Sequence, residues 1–298
     1  MTRIGFIGVG IMGKPMCKNL LKKGFQVTVI AHKNIQPVEE LKEMGASVAT
    51  SRVELANNSD VLITVLPGPK EVEEVCFGED SIVKGLKPGS IYIDMSTSSP
   101  ALSKEICKRL TDYGVKMLDA PISRGVPAAE KGTLITLVGG EEKVLDECRH
   151  VLEAMASDIL HMGPIGSGHS AKLVNNVKIM TEMVLICESL ALGLKSGIEP
   201  QKLFDAISLS SGNSFYFQYK VPRMLKGEFE PGGSVDIGFK DIYLALEWAR
   251  EIGVPMLLPA LAQQVYQTAR EKGLSGKDNA SIIKIYEELL DISMCISN

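Results

Sequence analysis

Three polar side chains stand together in this sequence where chemistry is plausible: Lys172, Asn175 and Asn176, in the run Lys172-Leu173-Val174-Asn175-Asn176. A spacing of four puts Lys172 and Asn176 on one face of a helix, with Asn175 close by. A lysine near the first turns of a helix faces the positive end of the macrodipole, and partial burial strips water from its ammonium. Both effects lower its pKa toward the range useful for general acid–base work. The same residues also read as a snorkelling lysine with structural amides. The surrounding elements must decide between the two.

The trio sits at a seam. The stretch from Gly163 to Gly197 opens with Gly163, Gly166 and Gly168, and Ser167 or Ser170 is placed to cap the helix that follows. From Val177 onward apolar residues fall on nearly all sides, the pattern of a helix buried between domains. Strands and helices alternate before the seam, whereas helix alone follows it. The expected architecture is α/β: a Rossmann-type doubly wound sheet over residues 1–163, then an all-α domain for substrate and dimerisation over 164–298, joined by the long helix.

The first half supplies a partner for the lysine. Arg3–Val9 is an apolar, β-rich run that enters Gly8-Val9-Gly10-Ile11-Met12-Gly13, a GxGxxG turn followed by a helix near Met12–Lys23 and a strand at Gln26–Ala31. Glycines keep such a turn tight and let backbone N–H groups approach a pyrophosphate at the helix N-terminus. Gly8, Gly10, Ile11, Met12 and Gly13 are therefore expected at a dinucleotide. The second strand ends in Ala31-His32-Lys33-Asn34, with no carboxylate until Glu39 to bind a ribose 2′-hydroxyl. His32 and Lys33 would attract a 2′-phosphate, so the expected cofactor is NADP, with NAD as the alternative. Further strands are expected at Asp60–Leu66, Ser90–Met95, Lys116–Ala120, Ile135–Val138 and Asp158–Met162, and helices at Val38–Met44 and Glu141–Met155.

In an open α/β sheet ligands gather at the C-terminal ends of the strands. Three loops qualify there: Leu66-Pro67, Ser96-Thr97-Ser98-Ser99 and Ser123-Arg124-Gly125. Ser98 and Ser99 read as helix N-caps and Thr97 as a contact to a cofactor amide. Arg124 suits a bidentate pair with a carboxylate or sulfonate, or a plain surface position. Beyond Gly197 the helices expected are one opened by Glu199-Pro200, then Phe215–Met224, Asp236–Ile252, Pro259–Lys272 and Asp278–Asp291, whose apolar stripes suit a core or a subunit interface.

The bulk properties exclude several other functions. A chain of 298 residues with a net charge of −4 gives no electrostatic case for nucleic acid or an acidic membrane. Lys178, Glu182 and Glu188 interrupt the longest apolar segment, which argues against a membrane span. Six scattered cysteines without a CxxC pair fit a reduced, cytoplasmic location, and four scattered histidines offer no metal-ligand spacing.

Taken together, these motifs resemble the β-hydroxyacid dehydrogenases across essentially the whole chain. The resemblance rests on Phe6-Ile7-Gly8-Val9-Gly10-Ile11-Met12-Gly13-Lys14-Pro15-Met16, Asp119-Ala120-Pro121-Ile122-Ser123, Gly132-Thr133-Leu134, Gly166-Ser167-Gly168, Lys172-Leu173-Val174-Asn175-Asn176 and Lys240-Asp241. It implies hydride transfer between NAD(P) and the hydroxyl carbon of a short 3-hydroxy acid, or the reverse reduction of a semialdehyde acid, in a homodimer or homotetramer. By resemblance, Lys172 is the general acid and Asn176 helps hold the substrate. Ser123, Arg124 and Gly125 occupy the loop for the substrate's acid group, Lys240 stands at the cofactor–substrate junction, and Leu66, Pro67 and Thr97 touch the cofactor.

Two departures stand out. Most members have Ser-Gly-Gly where this chain has Ser123-Arg124-Gly125, an arrangement similar to that of sulfolactaldehyde reductases, so a sulfonate or second carboxylate is expected to face Arg124. The other is Ala31-His32-Lys33, which matches neither the acidic NAD pattern nor the usual NADP run. Two further readings are an imine reductase, which generally lacks the lysine, and a non-catalytic dinucleotide sensor. The presence of Lys172 and Asn176 opposes both.

Overall fold

A computed structural model describes residues 2–230 and 232–295. The chain divides into two compact units, Met1–Lys172 and Leu173–Asn298.

The first unit alternates β1 (Arg3–Ile7), α1 (Gly13–Lys22), β2 (Gln26–Ile30), α2 (Gln36–Glu43), β3 (Ser47–Ala49), α3 (Arg52–Asn57), β4 (Val61–Thr64), α4 (Pro69–Phe77), β5 (Ile91–Asp94), α5 (Pro100–Thr111) and β6 (Lys116–Asp119). It continues through β7 (Ile122–Ser123), α6 (Gly125–Lys131), β8 (Leu134–Gly139), α7 (Glu142–Leu152) and β9 (Ala156–Gly163) into α8 (Ser167–Lys195). The strands form one sheet in the order β3-β2-β1-β4-β5-β6-β8-β7, with β9 on β8. From β3 to β6 every pairing is parallel. Strand order reverses between β1 and β4, so the loops after both border the crevice expected of a doubly wound sheet. The inner strands β4 and β5 are buried at every position, as parallel strands covered on both faces must be.

The strands expected from the sequence are present: the five up to β6 are shorter by one to three residues, whereas β8 and β9 extend beyond the expected Ile135–Val138 and Asp158–Met162. β1 stops at Ile7 because Gly8 turns the chain at a φ of 100°. Helices α3, α4 and α6 emerge only from the structure; α3 and α6, of six and seven residues, are too short to show an apolar period. Of the two expected caps, Ser99 accepts from the N–H groups of Ala101 and Leu102 at the start of α5, whereas the Ser98 hydroxyl is buried without a protein partner.

The second unit continues α8 and adds α9 (Pro200–Ser208), α10 (Phe215–Lys226), α11 (Val235–Glu251), α12 (Leu257–Glu271) and α13 (Ile283–Leu290). The last expected helix is shorter than its pattern suggests, because Asn279–Ile282 winds as a tighter 3₁₀ turn. Asp278 causes this by accepting from the Ala280 N–H at 3.0 Å. α8 is also less buried than expected: Leu173, Asn176, Val177, Met180, Met183, Val184, Cys187 and Leu190 are covered, while Val174, Leu185 and Leu192 are exposed.

Inside this unit lies an ion pair withdrawn from water. Lys220 Nζ donates to Asp278 Oδ1 at 2.6 Å, and both side chains are buried. Asp278 Oδ2 accepts from the Gly232 N–H at 2.9 Å, which fixes the loop leading into α11. Burial alone would push the Asp278 carboxyl up, but the Lys220 ammonium and the backbone donors outweigh it and hold the group below the ordinary carboxylate value. Removing one partner of such a pair leaves an uncompensated buried charge. Asp278→Ala is therefore expected to destabilise the fold by about 3–5 kcal/mol in a denaturant titration. Because the folded-state pKa is depressed, this contribution is complete above about pH 4 and disappears as pH falls through the folded value.

Candidate active site

The glycine turn is built as a dinucleotide cradle must be. A Cβ on Gly8 would lie 2.1 Å from the Val65 carbonyl oxygen, and one on Gly13 would lie 1.9 Å from the Gly8 carbonyl oxygen, so strand, turn and helix pack without room for a side chain. Gly10 differs: nothing lies within 4 Å of its ideal Cβ, and the neighbouring Ile11 is exposed. No side chain caps the start of α1, which leaves the first N–H groups of the helix for an anion. These features fit a bound dinucleotide pyrophosphate. The buried Ser98 hydroxyl, without a protein partner one residue beyond Thr97, adds a polar atom at the same edge of the sheet.

The C-terminal ends of the central strands carry a polar row that spacing alone does not disclose. Thr64, Asp94, Asp119 and Gly139 are successive register partners across β4, β5, β6 and β8. Thr64 Oγ1 donates to Asp94 Oδ1 at 2.9 Å and lies 2.9 Å from the Tyr92 hydroxyl. Two neighbouring carboxylates in a dry interior repel each other, and His169 stands between them. Its Nε2 is 3.8 Å from Asp94 Oδ2 and its Nδ1 is 3.8 Å from Asp119 Oδ2. Burial pushes the Asp119 carboxyl up, and the neighbouring Asp94 adds to this. His169 and the N–H donors of His169 and Gly166 act the other way.

Those two N–H donors belong to the start of α8. Gly166 N donates to Asp119 Oδ1 and His169 N donates to Asp119 Oδ2, both at 2.7 Å. A carboxylate from the sheet thus satisfies two of the orphan donors at the helix N-terminus, where its charge also complements the dipole. The approach is close enough to exclude side chains. A Cβ on Gly168 would lie 2.4 Å from the Leu137 carbonyl oxygen and 2.5 Å from that of Asp119, and one on Gly139 would lie 2.4 Å from Asp119 Oδ1. Glycines 139 and 168 therefore serve the packing of helix against sheet, while Gly166 turns the chain into the helix at a φ of 89°.

Lys172 follows in the second turn of α8 and is 9% exposed. In the second unit Asn176 Nδ2 donates to Asp241 Oδ2 at 2.6 Å, and Asn175 Nδ2 donates to Asn176 Oδ1 at 3.1 Å. Lys240 Nζ lies 2.9 Å from Asp241 Oδ1 without hydrogen-bonding alignment, so the pair is one of charge. Asp241 orients the amide of Asn176 and is a site residue that the sequence analysis quotes only as part of a motif. Ser96 is anticipated only as part of a loop, and Asp94 and His169 are missed altogether. The available signal is that the apolar strand runs Val61–Thr64, Ile91–Asp94 and Lys116–Asp119 each end on a polar residue.

The other expected residues fall on two parts of the sheet edge. The Leu66 N–H donates to Ser96 Oγ at 3.0 Å, which joins the Leu66-Pro67 loop to the Thr97 loop. His32 and Lys33 are exposed after β2. Ser123 ends β7, Gly125 opens α6 and Arg124 stands between them, with Arg124 at φ 83° and Gly125 at φ 69°. The left-handed region costs a non-glycine residue roughly 1–2 kcal/mol, which explains the fitness of two glycines there and makes this arginine unusual. Its Nη1 donates to Asp158 Oδ2 at 2.8 Å, Ser157 Oγ at 3.1 Å and the Thr133 carbonyl at 3.2 Å.

A doubly wound sheet with a glycine turn, and a nearly buried lysine on the helix that leaves it, define an NAD(P)-dependent oxidoreductase. Residues 3–163 match the NAD-binding domain of 6-phosphogluconate dehydrogenase, and residues 166–286 match the NAD-binding domain of NADP-dependent 3-hydroxyisobutyrate dehydrogenase. The chain belongs to the β-hydroxyacid dehydrogenase family. It is 36% identical to 2-(hydroxymethyl)glutarate dehydrogenase of Eubacterium barkeri, over 98% of this chain and 97% of that one. It is also 36% identical to the mitochondrial 3-hydroxyisobutyrate dehydrogenase of Mus musculus, over 96% and 88%. The structure of Mycobacterium tuberculosis 3-hydroxyisobutyrate dehydrogenase with L-serine superposes with a TM-score of 0.86 at 32% identity, covering 96% of this chain and 99% of that one.

The contact between helix and sheet yields a measurable expectation. Gly168→Ala must displace backbone on two strands and is expected to cost about 1–3 kcal/mol in thermal or denaturant unfolding. Ala at Ser170, whose hydroxyl only bonds back to the Gly166 carbonyl, is expected to stay within about 0.5 kcal/mol of the parent.

Proposed function

We propose that this enzyme transfers a hydride between NADP(H) and a short 3-hydroxy acid or its semialdehyde, with Lys172 as general acid and base. The observation that carries the reading is Lys172 itself, nearly buried on the second turn of α8 and four residues from an amide held by Asp241. A nicotinamide bound at the glycine turn would supply or accept the hydride. In the reducing direction Lys172 Nζ gives a proton to the carbonyl oxygen as it becomes a hydroxyl, and in the oxidising direction it takes that proton back. Asn176, its donor edge fixed by Asp241, holds and orients the substrate together with Ser123 and Gly125. That the named relatives act on hydroxymethylglutarate and 3-hydroxyisobutyrate supports a small anionic hydroxy acid.

NADP is favoured over NAD by the turn after β2. His32 and Lys33 are exposed there, and Glu40, the nearest acid with a defined partner, is tied to Lys14 and Lys18 at 3.2 and 3.1 Å. Its carboxyl is held below the ordinary value by those two lysines, Lys18 first. Lys240 and the loops at Leu66, Pro67 and Thr97 complete the proposed cofactor contacts. A sulfonate or second carboxylate opposite Arg124 is the narrower version of this reading, with sulfolactaldehyde as one such substrate. It is supported by the strained placement of Arg124 in the substrate loop, and it requires the anion to compete with Asp158 for the guanidinium. The sensor alternative would keep the glycine turn without any need for Lys172.

A homodimer or homotetramer is part of the same proposal, supported by the exposed Leu257, Leu258 and Leu261 on α12 and Leu185 and Leu192 on α8. So is a cytoplasmic location, which the six free cysteines suit. Among the described residues no helix is long and apolar enough to cross a membrane.

One screen tests these statements: NADPH and NADH against 3-hydroxyisobutyrate, tartronate semialdehyde, succinic semialdehyde and sulfolactaldehyde. Lys172→Ala is expected to lose at least about a hundredfold in kcat while NADPH still binds by fluorescence titration, in line with the usual contribution of a general acid. Full activity in that variant would remove Lys172 from the chemistry. Lys33→Ala is expected to weaken NADPH about tenfold and leave NADH unchanged, the size of one charge-assisted hydrogen bond. Arg124→Ala should raise KM for a substrate carrying the extra anionic group, and an unchanged KM for every acid would discard that narrower version.

A further inference from the structure

The mechanism proposed above uses Lys172 and a cofactor loop but does not explain how the two are held in register. His169 bears on both. It is fully buried and lies three residues before Lys172, on the same side of α8. Its backbone N–H is held by Asp119, and its ring reaches the loop after β5, where Nε2 lies 3.1 Å from the Ser96 carbonyl oxygen. A carbonyl can only accept, so Nε2 carries a proton and donates it. On the other side of the ring, Nδ1 lies 2.6 Å from Ser103 Oγ in α5. Ser96 in turn receives the Leu66 N–H on its hydroxyl and gives its own N–H to Asp94 Oδ1 at 3.1 Å. A single imidazole thus connects the Leu66 loop, the residue before Thr97, the start of α5 and the first turn of α8.

We propose that His169 is a positioning residue for hydride transfer: its ring fixes the Thr97 loop against the first turn of α8, one turn before Lys172, so that acid and cofactor keep one relative placement. This rests on the reading of Lys172 as the acid. The groups facing the ring argue for such a role over simple space filling. Asp94 and Asp119 flank it at 3.8 Å, Ser96 and Ser103 bond to it, and a hydrophobic residue would leave the Ser96 carbonyl without the N–H that the ring gives it. Since small misplacements of reacting groups lower rates far more than they lower binding, the signature is a loss in kcat.

The test is steady-state kinetics of the full chain with the best substrate of the screen, using NADPH and NADPH deuterated at the transferred position. His169→Ala is expected to lower kcat at least tenfold, to change KM and the NADPH Kd less than twofold, and to raise the deuterium isotope effect on kcat. His169→Gln, whose side-chain amide can still donate to the Ser96 carbonyl, should recover most of the loss. The proposal is overturned if His169→Ala keeps kcat within twofold of the parent. It is equally overturned if KM and Kd rise while kcat holds, or if the folded Gln variant is no better than Ala. Should His169→Ala fail to fold, Ser103→Ala removes only the partner of Nδ1: a severalfold fall in kcat at constant KM supports the role, and an unchanged kcat ends it. Lys172→Ala measured beside them separates the two readings. Full turnover in that variant sinks the assignment of the acid, whereas loss of turnover there with an undiminished His169→Ala sinks the positioning role alone.

Discussion

The carboxylate of Asp119 at the start of α8 is the contact on which the rest of the first unit's chemistry depends. A helix of this length begins with N–H groups that have no intrahelical acceptor. Here two of them, on Gly166 and His169, bond to an acid projecting from the end of β6. The bond fixes where the helix starts, and the helix start fixes where Lys172 comes to lie. Every other feature of this edge follows from keeping that contact short. Gly139 and Gly168 lack side chains because strand and helix backbones nearly touch, and Gly166 takes a φ of 89° to turn the chain into the helix.

A buried acid has a cost, and the structure shows how it is offset. Asp119 neighbours Asp94 across a parallel register pair, so two carboxylates share a dry environment. Hydrogen bonds from Thr64, Ser96, Gly166 and His169, together with the imidazole between the acids, supply the compensation that an apolar interior cannot. The second unit solves a related problem with Lys220 and Asp278, which tie α10, the Gly232 loop and the 3₁₀ turn together. In both units the polar interior anchors the elements that carry candidate site residues: α8 with Lys172 in one, α11 with Lys240 and Asp241 in the other.

Arg124 shows how a substituted motif can change meaning once its surroundings are known. In the sequence it is an arginine in the loop that the family resemblance assigns to the substrate's acid group. In the structure its Nη1 meets Asp158, Ser157 and Thr133, while its backbone occupies a conformation better suited to glycine. The side chain therefore has a bracing role to reconcile with any role toward substrate. Asp158 is 34 positions away in the chain, and nothing in the local pattern around Arg124 marks it as a partner.

The sequence by itself determined the elements whose signals are local. The glycine turn after an apolar strand, the continuous apolar runs of the central strands, and the four-residue spacing of Lys172 and Asn176 each depend on neighbours within a turn or a strand. The reversal of strand order beside β4 also follows, because strand succession and the glycine turn together imply the doubly wound arrangement. Only the tertiary structure decided which polar residues face one another. Asp119 and Gly166 are 47 positions apart, His169 and Ser96 are 73 apart, and Asn176 and Asp241 are 65 apart. Their pairing is set by sheet register and helix packing, in which a shift of one residue would turn a side chain to the opposite face, and short-range periodicity carries no record of that choice.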